Sequence, residues 1–213
     1  MLRAIRNLFL LIVVFAAIGG GLYLYWDLDI RWRPHEITKN QAEIAKILEG
    51  SGWVSPHAAG PKLYTVAYRD SAPSQRFIDA NFAALHQASI DTRVIMIARP
   101  DVNGATKSTA AERATVAELW VNRSWALFQK WTAGSSDAWT APGLPPADGD
   151  VARSAVVEVG QAAIDKLSPL LKDNGVNADY PILVWWTKDG KMEACACTDP
   201  HQDRYVLKDL GAQ

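Results

Sequence analysis

The run Lys62-Leu63-Tyr64-Thr65-Val66-Ala67-Tyr68-Arg69 passes directly into Asp70-Ser71-Ala72-Pro73-Ser74, and this junction decides the predicted fold. The first run is rich in residues that favour β-strands. The second run has serine and proline where helices commonly begin. The sequence therefore predicts a strand followed at once by an amphipathic helix, whose apolar face is formed by Phe77, Ile78, Phe82 and Leu85.

Downstream of this helix, a second strand is predicted over residues 92–99, and the segment of about residues 104–173 lacks strand character. We expect a helical insertion there. It should contain one helix that is capped by Ser108 or Thr109 and continues through Phe128, a loop over 132–150, and a helix over 151–171 that bends or breaks near Pro169. Three tryptophans are expected to pack this insertion rather than to build a ligand site: Trp120, Trp125 and Trp131.

Two more strands are predicted near the C-terminus, over residues 181–187 and 192–198, with the turn 188–191 joining them as a hairpin. A last helix begins at Asp199 or Pro200, where a capping residue and a proline coincide. The predicted order of elements is therefore strand, helix, strand, helical insertion, strand, hairpin strand and helix.

The N-terminal part contains an uncharged, apolar run over residues 8–26, which is long enough to cross a bilayer. Arg3 and Arg6 precede the run and aromatic side chains end it, so we expect the helix to pass from the inside of a membrane to the outside. A cleavable signal peptide is the alternative, and it too would export the rest of the chain. We predict an uncleaved, single-pass anchor in the inner membrane, with the C-terminal domain in the periplasm.

The domain organisation predicted from these patterns has three parts: an anchor over residues 1–26, a linker over 27–60 and one folded domain over 61–213. The linker should contain a short amphipathic helix, because Thr38-x-x-Gln41 is a capping-box pattern and Gly50 closes the apolar periodicity.

Composition limits the classes of function. The chain has 213 residues, with 22 Lys and Arg against 23 Asp and Glu, and its formal net charge is −1. A near-neutral protein lacks the electrostatic footprint that nucleic acid binding requires, so we expect no nucleic acid partner. The apolar content is ordinary and can support a core without disulfides or metal.

The order of elements resembles that of the thioredoxin fold, and in particular the periplasmic disulfide-isomerase relatives DsbG and DsbC. The expected fold class is thus α/β, a thioredoxin-like fold with a helical insertion, preceded by a transmembrane helix. In that family a Cys-x-x-Cys box opens the helix after the first strand; here the box reads Ser71-Ala72-Pro73-Ser74. The family also has a cis-proline that faces the box, and Tyr180-Pro181 resembles that position.

Serine at both ends of the box removes the family's chemistry, because disulfide exchange needs a thiolate and a sulfur leaving group. The serines are expected to cap the helix. A serine hydrolase would need a base within reach, and the sequence places no histidine there: not His35, His57, His86 or His201. We expect no catalytic residue, no metal site and no cofactor.

Cys195 and Cys197 are the only cysteines and lie two apart on a predicted strand, so they share a face with Cα atoms about 6.6 Å apart. That distance is at the upper edge of disulfide geometry. Three alternatives remain open: packed inert thiols, a labile intrastrand disulfide, or an intermolecular bond or redox role.

These observations favour a redox-inactive, membrane-anchored protein that binds or scaffolds an envelope protein or an unfolded client, as a chaperone or as part of an assembly such as conjugation machinery. The alternative is a thiol-disulfide oxidoreductase that uses Cys195 and Cys197. A third class is a small-molecule binder that uses the groove beside Ser71.

Overall fold

The computed structural model describes residues 2–212, and it describes the side chains of residue 7 and of residues 10–212. The chain divides into two compact units, one up to Arg33 and one from Pro34 onward.

The first unit is a single long helix, α1 (Leu2–Leu28), followed by a 3-10 turn over Ile30–Trp32. Its apolar side chains are exposed, and the segment Leu10–Trp32 is long and apolar enough to cross a membrane. A signal sequence would meet the same criterion. The predicted apolar helix is confirmed, whereas the side chains of Arg3 and Arg6, which motivate its orientation, lie outside the described residues.

The second unit is built on a five-stranded sheet in the order β1-β5-β4-β2-β3. Strands β2 and β3 pair in parallel and the other neighbours pair antiparallel. Their bounds are β1 (His35–Glu36), β2 (Lys62–Tyr68), β3 (Asp91–Ile97), β4 (Ile182–Trp186) and β5 (Met192–Ala196).

Six helices cover the two faces of the sheet: α2 (Gln41–Gly50), α3 (Ala72–Gln87), α4 (Ala110–Asn122), α5 (Trp125–Ala133), α6 (Val151–Lys172) and α7 (Pro200–Leu210). Side chains alternate between faces along each strand. Leu63 and Trp185 join α3, α4, α5 and α7 in one core. Tyr64 and Val184 join α2 and α6 in the other. The predicted α/β class is confirmed.

The helical insertion differs from the prediction at two points. The prediction of a single helix from residue 109 through Phe128 is wrong, because the helix is interrupted between α4 and α5. Arg123 adopts a left-handed conformation with φ of 50°, and the Ser124 side chain accepts a hydrogen bond from the N–H of Leu127 to start a new helix. The second difference is at Pro169: α6 continues through this residue, so the expected break there is wrong.

Residues 34–60 belong to the folded unit, although the sequence predicts a linker over residues 27–60. Strand β1 pairs with β5, and Ile44 and Leu48 of α2 are fully buried. The predicted capping box is wrong: Asn40 precedes α2 without a side-chain cap, and the N–H of Thr38 donates to the side chain of Asn174 instead.

Candidate functional site

The site lies where β2 ends and α3 begins. Ser71 caps α3, and its Oγ accepts a hydrogen bond from the N–H of Ser74 at 3.3 Å. Ser74 Oγ donates to Ser71 Oγ at 2.8 Å, and Ser71 Oγ donates to the carbonyl of Tyr180 at 3.4 Å. Ala72 and Pro73 lie in the first turn of α3. Backbone N–H groups in the first turn have no acceptor within the helix, so the lack of an N–H on proline costs no helical hydrogen bond. The two serine side chains are therefore hydrogen-bonded to each other and to the backbone at Tyr180.

The chain opposite is the segment that enters β4. The Tyr180–Pro181 peptide bond is cis, and the carbonyl of Pro181 accepts a hydrogen bond from the N–H of Cys197 at 3.0 Å. The Tyr180 ring packs edge-on against Tyr68, with ring centroids 5.2 Å apart. Burial raises the pKa of the Tyr180 hydroxyl to about 12. Thus the structure brings the two predicted parts of the site, residues 71–74 and 180–181, into contact.

A groove of about 540 Å³ opens beside this contact. One wall comes from α3 and the Tyr180 segment, and the other comes from the chain after β3. Arg99, at that wall, forms an ion pair with Asp70. We call this cavity the Ser71 groove; it is lined by Tyr68, Ser71, Pro73, Arg99, Pro100, Val102, Ala178, Asp179, Tyr180 and Thr198.

Sequence reasoning missed the wall after β3. Arg99, Pro100 and Val102 follow a predicted strand, but no local pattern marks them as site residues. One signal was available: the predicted order strand, helix, strand favours parallel pairing of β2 and β3, which the structure shows, and parallel strands have their carboxyl ends at one edge of the sheet. Residues after one of these strands are therefore neighbours of residues after the other.

Cys195 and Cys197 form a disulfide with Cα atoms 5.1 Å apart. The alternatives of free thiols and of an intermolecular bond are therefore wrong for this structure. The two residues are 2% and 0% exposed, and they pack in the core beside Phe77 and Val206. The carbonyl of Cys197 accepts a hydrogen bond from Arg76 at 3.1 Å. Consequently the disulfide faces the core and does not line the groove.

The histidines lie apart from the serines. His86 Nε2 is 2.9 Å from Thr92 Oγ1, and burial lowers the pKa of this imidazole. His201 pairs with Asp199 at the start of α7. Among the described residues no histidine hydrogen-bonds to Ser71 or Ser74, so the serine–histidine pair of a serine hydrolase is not formed by these residues.

Several solved structures are similar to this chain. BcfH of Salmonella enterica Typhimurium is 13% identical with a TM-score of 0.56, and the match covers 99% of this chain and 93% of that one. The match to ScsC of Proteus mirabilis in a compact conformation has 10% identity, a TM-score of 0.46 and coverage of 99% and 98%. MdbA, a thiol-disulfide oxidoreductase from Corynebacterium diphtheriae, gives 14% identity, a TM-score of 0.39 and coverage of 81% and 100%.

No protein-family model matches the sequence, and no curated protein matches it. The sheet order and the likeness to BcfH together show a thioredoxin-like fold. At this identity the likeness extends to the fold alone.

Proposed function

We propose that this chain is a membrane-anchored, redox-inactive thioredoxin-fold protein, which holds an extended segment of another envelope protein or of an unfolded client in the Ser71 groove. The observation that carries the proposal is the serine pair. Hydroxyls occupy both positions at the start of α3 where the resemblance implies thiols, and they are hydrogen-bonded to each other at 2.8 Å. A hydroxyl neither forms nor breaks a mixed disulfide, so the groove retains a binding role without the exchange reaction.

The groove offers what an extended polypeptide needs. Among the described residues, the backbone N–H of Tyr180 has no hydrogen-bond partner, so it can pair with a client carbonyl. The rings of Tyr68 and Tyr180 supply apolar surface with polar tips. Pro73 and Val102 extend that apolar surface on either side.

A thiol-disulfide oxidoreductase acting through Cys195 and Cys197 is the second candidate, because the two residues form a disulfide. Exchange requires a thiolate to reach one of the sulfurs. Since both residues are almost fully buried in the core, an attacking thiolate has no path to them in the folded protein. Burial thus favours a structural disulfide over a catalytic one.

The location proposed for this activity is the periplasmic face of the inner membrane. The segment Leu10–Trp32, which includes most of α1, is 23 residues long and apolar enough to cross a membrane, and Arg3 and Arg6 precede it in the sequence. A binding protein held there would be within reach of membrane-bound assemblies, of which conjugation machinery is one example.

Site-specific photo-crosslinking in intact cells tests the proposal. A photoreactive amino acid is placed at Val102, which lines the groove, and in a matched control at Val121 on α4; these side chains are 52% and 54% exposed. We expect a discrete protein adduct from position 102 and none from position 121. Tyr180→Ala should abolish that adduct, whereas Tyr205→Ala, on α7, should leave it. Equal adducts from both positions, or an adduct unaffected by Tyr180→Ala, would refute binding in the groove.

A further inference from the structure

A second cavity lies between α2 and α6. It has a volume of about 640 Å³, which falls within the range of small-molecule sites. We call it the α2–α6 groove. Its apolar surface comes from Ala42 and Ile47 of α2, from Val159, Ala162 and Ala163 of α6, and from Trp120 of α4.

The Trp120 indole is held rigidly. Its Nε1–H donates to the carbonyl of Met96 at 2.7 Å, on the outer edge of the edge strand β3. A Cβ at Gly52 would overlap the ring, and a Cβ at Gly160 would lie 3.1 Å from it, so two glycines make room for the indole. The ring packs against both cores and remains partly exposed to the groove. The groove therefore has a preformed aromatic surface.

The rim of the groove carries positive charge. Lys46 of α2 and Lys166 of α6 are exposed, and among the described residues neither forms an ion pair. Glu43 on the same rim contributes one negative charge, so two cations face one anion. An apolar surface between two unpaired ammonium groups is complementary to a ligand with an apolar body and a negative end.

We propose that the α2–α6 groove binds a small apolar carboxylate, with its apolar body on Trp120 and its carboxylate between Lys46 and Lys166. This site is distinct from the Ser71 groove, and its ligand need not be a polypeptide. Lysine stems cover apolar surface while their ammonium groups stay in water, so the rim can close over the ligand without desolvating the charges.

Photoaffinity labelling of the full chain in lipid nanodiscs tests this site. The probes are decanoic acid and decanol, each carrying a diazirine, and labelled residues are mapped by mass spectrometry. Labelling of α1 measures how much probe enters the lipid, so groove labelling is expressed relative to α1. We expect the acid to label residues 42–51 and 159–166, and the Lys46→Gln, Lys166→Gln double variant to reduce this labelling about fivefold, towards that of the alcohol.

Two matched pairs of variants complete the test. Lys172→Gln removes a lysine of α6 that does not line the groove, and it should leave labelling unchanged. Ala162→Trp should fill the groove and abolish labelling, whereas Ala152→Trp, at an exposed position of the same helix outside the groove, should not. Equal labelling by acid and alcohol, labelling confined to α1, or labelling that survives Ala162→Trp would overturn the proposal.

Discussion

At the scale of single residues, Ser71 and Ser74 define what the start of α3 can do. Their hydroxyls continue a hydrogen-bonded chain from Ser74 through Ser71 to the carbonyl of Tyr180. The cap itself was predictable from sequence, because serine before Ala-Pro is a local helix signal. The bond to Tyr180 was not, since it joins residues 109 positions apart and depends on the tertiary fold.

Restoring both thiols tests the interpretation of these serines. In the Ser71→Cys, Ser74→Cys double variant, the helix N-terminus should lower the pKa of the thiol introduced at position 71, because the helix dipole favours a thiolate. We expect the purified variant to reduce insulin with dithiothreitol as electron donor, and the unmodified protein to remain at the uncatalysed rate.

The Ala72→Cys variant is the matched control, because one thiol out of position should confer nothing. Insulin reduction by the unmodified protein would contradict redox inactivity. An inactive double variant whose thiol at position 71 has an ordinary pKa would contradict the proposed equivalence of this helix start to a thiol box.

At the scale of elements, periodicity predicted most helices and strands, and it failed where an end is set by distant contacts. The break between α4 and α5 rests on a non-glycine residue, Arg123, in a left-handed conformation, which no composition signal marks. The start of α2 depends on Asn174, which lies beyond α6 and accepts from the N–H of Thr38 and of Lys39. The helix propensity of neighbouring residues does not predict hydrogen bonds to residues so distant in the sequence.

Helix α5 ends on a buried arginine. Arg69 directly follows β2, and its guanidinium donates to the carbonyl of Trp131 at 3.1 Å and to that of Gly134. Burial lowers the pKa of its guanidinium, although arginine remains charged. Arg69→Ala would leave these carbonyls without donors, and we expect the free energy of unfolding to fall by about 2–4 kcal/mol in urea titrations.

Lys130→Ala serves as the control for this prediction, because Lys130 is an exposed residue of the same helix. It should change the unfolding free energy by less than about 0.5 kcal/mol. If the two variants were equally stable, Arg69 would not anchor α5.

Helix α4 begins on a capping box with a buried carboxyl. Glu112 is 6% exposed and accepts from the N–H of Arg99 at 2.6 Å and of Thr109 at 3.3 Å. Burial raises the pKa of Glu112 above its ordinary value of 4.5, although these two hydrogen bonds lower it in part. Its stabilising contribution is therefore present at low pH and is lost as pH rises through the raised pKa.

Glu112→Gln should remove this pH dependence. We expect the unfolding free energy of the variant, minus that of the unmodified protein, to increase between about pH 4 and pH 7. Urea titrations at several pH values measure the slope, which does not depend on any constant cost of the substitution. If the difference in unfolding free energy stays constant or decreases with pH, ionisation of Glu112 does not destabilise the folded protein.

At the scale of the whole molecule, the sequence predicted the four strands β2 to β5 in their order along the chain. It did not predict that residues 34–60 complete the sheet and its cover. Strand β1 has only two residues, too few for a period-two pattern, and it is held by pairing with β5. The Ser71 groove was predictable only in part, because its second wall follows β3 and is brought near by parallel pairing.

The proposed role of α1 as a membrane anchor predicts where the rest of the chain lies in the cell. We expect a reporter that is active only after export to be active when fused after the last residue, and the fusion to stay with membranes after alkaline washing. Replacing Arg3 and Arg6 with alanine should reduce the exported fraction, because basic residues hold that end inside. An inactive reporter would contradict the orientation, and a shortened soluble form would identify α1 as a signal sequence.

If the Ser71 groove binds a polypeptide without thiol chemistry, the protein should bind a client that has no free thiol, and an equilibrium titration measures this binding. The full chain in lipid nanodiscs is titrated with an unfolded polypeptide whose cysteines are all carboxymethylated. We predict saturable binding that Tyr180→Ala weakens about tenfold, as expected when a half-buried aromatic contact is lost, and that Tyr205→Ala leaves unchanged. No binding, or equal binding by the unmodified protein and the Tyr180→Ala variant, would contradict the claim.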